Sequence, residues 1–90
     1  MNIRKRKENE KKFGKWTETD SGRIYFFEVK GKKGWKARYV KEVDADENTL
    51  KFFQEIYNEK NVLVELHEKF PTDKGHKKIK ANGNNKGQSS

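Results

Sequence analysis

The chain has 90 residues, with 22 Lys or Arg against 14 Asp or Glu, a net charge of +8, two His, one Pro and no Cys. That length admits one small domain at most, below the size at which burial alone gives a wide margin of stability. The absence of Cys excludes disulfides and thiolate zinc sites and fits a reducing, cytoplasmic setting.

The charge is unevenly placed. Residues 1–12 carry six bases and two acids, and residues 70–90 carry five bases and one acid, whereas residues 13–69 balance at eleven of each. All eleven aromatic residues lie from Phe13 to Phe70. The expected organisation is a basic arm (1–12), a single β domain (13–70), a Pro/Gly loop carrying His76 (71–80) and a disordered tail (81–90).

In chain order, the first segment offers only Met1 and Ile3 as apolar residues among Arg4, Lys5, Arg6, Lys7, Lys11 and Lys12. It has no signal-peptide core and reads as a frayed arm able to form one or two helical turns. No apolar run approaches membrane-spanning length. Asp20-Ser21-Gly22 then predicts a hairpin turn between a run around Trp16 and the run 23–30, with Gly22 supplying positive φ. Gly31-Lys32-Lys33-Gly34 turns the chain into 35–43, and 44–48 makes the next polar break. Asn58-Glu59-Lys60-Asn61 separates 50–57 from 62–70.

The result is an all-β antiparallel meander of about five strands, curled or closed into a small barrel. Leu50, Phe53 and Tyr57 also fit a helical stripe, so an α+β fold is the alternative if 49–57 is helical. Alternation assigns Tyr25, Phe27, Val29, Trp35, Ala37, Tyr39, Val43, Leu50, Phe52, Ile56, Val62, Val64, Leu66 and Phe70 to the core face. The reverse face receives Ile24, Phe26, Val40, Phe53, Tyr57 and Leu63 with Arg38, Lys51, Glu55, Glu65, His67 and Lys69. With no helix evident to cover it, such a sheet predicts a homodimer, the reverse face being the contact.

Two groups of residues bear on function. Residues 30–41 hold Lys30, Lys32, Lys33, Lys36, Arg38 and Lys41 without an acid, while 42–68 are predominantly acidic. A basic hairpin with Trp35 and Tyr39 for stacking suits RNA or DNA, as do Arg4, Lys5, Arg6, Lys7, Lys77 and Lys78 in the flanking segments. The plainer reading is that strands of opposite sign pair across the sheet.

The second group is His67, Asp73 and His76, with Lys69, Lys77 and Lys78 nearby. Two imidazoles beside lysines are the ingredients of metal-free RNA cleavage: one takes the 2′-hydroxyl proton, the other protonates the leaving oxygen, and Asp73 orients a ring. The plain alternative is two surface histidines. A metal held by His67, His76 and Asp73 is not expected, because the spacing is long and the neighbouring lysines repel a cation. No phosphate-binding loop, dinucleotide fingerprint or nucleophile triad is present, and no cofactor is expected.

The hairpin from Glu55 to Glu65, followed by a Pro-containing loop with Asp73 and then Gly75-His76-Lys77, resembles the C-terminal half of certain small single-sheet toxins of toxin–antitoxin modules. The likeness covers about 25 residues. It implies a nucleic-acid-directed toxin and an antitoxin-like protein partner. Those toxins cluster their histidines closely, where this chain has His67 and His76. The expectations are thus a small binding module for nucleic acid, an RNA-cleaving toxin, or a protein-interaction subunit with incidental basic ends.

Overall fold

Runs of β-branched and aromatic residues between polar turns become strands, and each strand finds its partner in the next run along the chain. The structure is a computed structural model that describes residues 1–73 and 75–79. Its elements are α1 (Ile3–Phe13), β1 (Lys15–Thr19), β2 (Gly22–Lys30), a 3-10 turn (Lys32–Gly34), β3 (Lys36–Asp44), β4 (Thr49–Tyr57), β5 (Leu63–Phe70) and β6 (His76–Lys78). All neighbouring pairs are antiparallel, in the order β1-β2-β3-β4-β5-β6. Among the described residues no pairing joins β1 to β6, so the meander is open and does not close into a barrel. The antiparallel β reading holds, residues 49–57 are strand, and the strands number six because His76–Lys78, expected in a loop, adds β6. The expected tail, 81–90, lies outside the described residues.

The first twelve residues are not a frayed arm. Asn2 caps α1 by accepting a hydrogen bond from the Lys5 amide at 3.0 Å, and Gly14, at φ 79°, ends it with its N–H on the Glu10 carbonyl. The helix lies over β1 and β2. Only a few of its residues are buried, which is why an apolar stripe is missing from the sequence. Phe13 packs against Tyr25, Phe27 and Phe52 with ring centroids 5.4 to 6.3 Å apart. The remainder of the contact is polar.

That polar contact centres on Glu47, which is 2 % exposed and sits at φ 65° in the turn between β3 and β4. Its carboxylate accepts hydrogen bonds from the Tyr25 hydroxyl (2.6 Å), Asn9 Nδ2 (3.2 Å) and Arg6 Nε (3.2 Å). Burial alone would raise its pKa, but these donors outweigh burial and hold it below the ordinary carboxylate value. The same burial and the Glu47 bond push Tyr25 up to about 12. Beside it, Arg23 pairs with Glu10 at 2.8 Å and Glu18 at 2.6 Å; burial works against its charge, and the two carboxylates overcome it.

Register explains where the expected core was misplaced. One face carries Trp16, Tyr25, Phe27, Tyr39, Lys41, Phe52 and Gln54, and α1 covers its β1–β2 side. Leu50 belongs to neither row: Glu42 pairs with Lys51 and Val43 with Thr49, so Leu50 is the extra residue of a bulge and is exposed. Val29, Trp35, Val62 and Phe70, also expected in the core, are exposed as well.

Irregularities at Phe52/Phe53 and Ile56/Tyr57 set β5 one residue away from the predicted alternation. Leu66 therefore pairs with Glu55 on the reverse face, and Glu65 and His67 pair with Ile56 and Gln54 on the helix-bearing face. The expected absence of a covering helix fails as well. The reverse face keeps Ile24, Phe26, Val40, Phe53, Tyr57 and Leu63 as predicted, with Val40 buried between Phe26 and Phe53.

Candidate nucleic-acid interface and histidine cluster

The site is built by β3 to β6 on the helix-bearing face, beyond the strip that α1 covers. Because alternate residues of a strand share a face, the register brings Tyr39 opposite Gln54, Gln54 opposite His67, and His67 opposite His76. The Tyr39 hydroxyl accepts a hydrogen bond from Gln54 Nε2 at 3.1 Å. The His67 and His76 rings lie 4.5 Å apart between centroids, tilted by 50°. Asp73, beyond the end of β5, reaches back to His67, whose Nε2 is 2.6 Å from Asp73 Oδ1. The same oxygen accepts from the Gly75 amide at 2.9 Å. Those two bonds, the backbone one first, hold Asp73 below the usual carboxylate range. His76 Nδ1 lies 3.1 Å from Glu65 Oε1.

Cations gather over aromatic rings on the same face. Lys69 Nζ sits 5.3 Å from the Tyr39 centroid and 5.7 Å from that of Phe52. Lys12 and Lys41 lie 5.8 Å and 6.0 Å from the Phe13 centroid, and Phe13 meets Phe52 edge to face. Lys41 donates to Asn9 Oδ1 at 3.0 Å; burial, and after it the charge of Lys12, hold its ammonium below the ordinary lysine value. Three ammonium groups thus follow one aromatic strip from α1 to β5.

The structure brings His67, Asp73 and His76 together and disperses the predicted phosphate ligands. Arg4, Lys5 and Lys7 are exposed on α1, with Arg4 3.8 Å from Glu8, while Arg6 is drawn inward to Glu47. Lys32 and Lys33 lie at the β2–β3 turn. Trp35, beside them, donates its Nε1–H to Glu59 at 2.9 Å, fastening that turn to the β4–β5 turn. Lys36 pairs with Glu28 at 3.5 Å, and Arg38 stands opposite Glu28 and Glu55 in register, its guanidinium 4.8 Å from the Phe26 centroid. For these two the charge stripe serves the sheet. Lys77 pairs with Leu66 on the reverse face, and Lys78 pairs with Glu65 on the site face.

Sequence reasoning missed Lys12, Lys41 and Glu65 as parts of this surface. Glu65 was legible in principle, because it stands two residues from His67 on one strand and shares its face. Lys41, two residues from Tyr39 on β3, was legible in the same way, whereas Lys12 was not, since its position depends on the docking of α1. Among the described residues no group of three or more His, Asp or Glu side chains is placed to hold a metal ion, and no helix is long and apolar enough to cross a membrane. Comparison with protein-family models, curated proteins and solved structures finds no match.

Proposed function

We propose that the protein binds single-stranded RNA on the helix-bearing face, along the strip from α1 to β6. The observation that carries this reading is the row of Lys12, Lys41 and Lys69 over Phe13, Phe52 and Tyr39. Half-buried Tyr39 and Phe52 give bases a stacking surface, with buried Phe13 packed behind Phe52, and the ammonium groups beside them meet the phosphates. Exposed Arg4, Lys5 and Lys7 on α1 extend the positive field, as do Lys32 and Lys33 at the distant turn. Affinity for fluorescein-labelled oligouridylate should fall steeply from low to moderate salt, and duplex DNA, which cannot present unstacked bases, should bind more weakly at each salt concentration. Tyr39→Ala should cost about 1–3 kcal/mol of binding. No binding at low salt, or binding that ignores salt, overturns the reading.

A second reading is favoured by the convergence of His67, Asp73 and His76: an RNA-cleaving toxin, neutralised in its cell by an antitoxin-like partner. Growth arrest on expression that His76→Ala relieves, with the variant still folded, would support it. Arrest that survives that substitution would exclude it. We also infer that two copies associate through the reverse face. A cavity of about 150 Å³ lies there, lined by Phe53, Leu63 and Leu66 together with Lys51, Glu55 and Glu68. A patch that carries both signs of charge around apolar side chains suits a self-complementary contact.

A further inference from the structure

We propose that the two histidines divide the work: His76 is the catalytic general base toward the ribose 2′-hydroxyl of an RNA phosphodiester, and His67 is a positioning residue beneath it. This inference rests on the cleavage reading and assigns its roles.

A carboxylate can only accept hydrogen bonds, so the 2.6 Å contact with Asp73 places the proton of His67 on Nε2. Its lone pair is then on Nδ1, which is buried and, among the described residues, has no hydrogen-bond partner. Both nitrogens are closed to a ligand: one is engaged, the other is shut in. The His67 side chain is 15 % exposed. His76 is the reverse case, 47 % exposed, with Nδ1 beside Glu65. The Glu65 carboxylate favours the proton on Nδ1, leaving the Nε2 lone pair as the one that can take a proton from substrate. The His67 ring supports that imidazole from below at 4.5 Å.

The step balances as a transesterification. Nε2 of His76 accepts the 2′-hydroxyl proton as the 2′-oxygen bonds to phosphorus. The bond from phosphorus to the 5′-oxygen breaks, and that oxygen takes a proton from solvent water. The products are a 2′,3′-cyclic phosphate and a 5′-hydroxyl, and the imidazolium returns its proton to the hydroxide left behind. Lys69, whose ammonium lies over Tyr39 and Phe52, and Lys78, two residues along β6 from His76, would meet the charge that develops on the phosphate oxygens.

Carbethoxylation of the intact protein tests the division without relying on activity, because the reagent attacks an accessible, unprotonated imidazole nitrogen. Peptide mass spectrometry should find His76 modified and His67 unmodified, and 2′-O-methyl oligouridylate, which lacks the nucleophile, should protect His76. Modification of His67 at an equal or faster rate overturns the assignment. In cleavage of oligouridylate, His76→Ala should lower kcat by about a hundredfold or more with little change in KM. Glu65→Gln should lower kcat less, and His67→Gln, whose amide nitrogen stands where the ring Nε2 meets Asp73, should lower kcat by less than His76→Ala does. Full activity in His76→Ala, with loss in His67→Gln, refutes the division while leaving cleavage itself standing. A wild-type protein that yields no cyclic phosphate refutes the cleavage reading and the inference with it.

Discussion

Glu47 shows how one side chain can join a helix to a sheet. Its carboxylate gathers donors from α1 and β2, and an amide in its place keeps one acceptor oxygen but sets an N–H donor against the remaining donor. Glu47→Gln should therefore destabilise the fold by about 2 kcal/mol, hydrogen bonds to a charged group being the stronger kind. The pH dependence has a definite sign. Because the folded-state pKa of Glu47 lies below its unfolded value, its contribution is present above the ordinary carboxylate value and is lost as pH falls through the folded one. Urea midpoints measured from neutral to acidic pH should fall less steeply in Glu47→Gln than in the wild type. Nothing local marks Glu47 among the acids of residues 42–68, since its burial comes from a helix far away in sequence.

At the level of elements, turns were legible and faces only partly so. Asn58, whose side chain accepts from the Lys60 and Val62 amides, makes the β4–β5 turn in the way its residue type suggests. The Gly22 turn formed where expected for a different reason. Gly22 does not adopt positive φ; a Cβ there would collide with the Val43 carbonyl oxygen on β3. Gly22→Ala should consequently cost about 1–3 kcal/mol by overpacking, read as a lowered denaturation midpoint. The helix was illegible because one aromatic at its last position supplies most of its apolar contact. Phe13→Ala should cost about 3–5 kcal/mol and release α1, seen as lost helical ellipticity, whereas an arm outside the fold would tolerate it. The face of β5 was misassigned because both of its sides carry apolar residues, and bulges in its pairing with β4 decided which side turned inward. That one-residue displacement also carries His67 to the helix-bearing face and permits the histidine cluster.

For the whole molecule, the two faces of the sheet have different work. If the reverse face joins two copies, sedimentation at micromolar concentration should show twice the chain mass, and Phe53→Glu should shift it towards the monomer by placing a charge among the apolar side chains of the cavity. A wild-type monomer under those conditions overturns self-association and leaves the RNA-binding face unaffected. The order of strands has a kinetic consequence. Each strand bonds to its neighbour in sequence, so the hairpins can close one after another without any long loop being ordered first. The contacts of α1 with the later strands are the exception, among them those of Arg6 and Asn9 with Glu47, 41 and 38 residues away, and can form only once both ends of that span are in place. In stopped-flow measurements, Glu47→Gln should accordingly steepen loss of the native state, raising the unfolding rate, while refolding proceeds at nearly the wild-type rate. The clamp between helix and sheet governs how long the molecule stays folded, and the meander governs how fast it gets there.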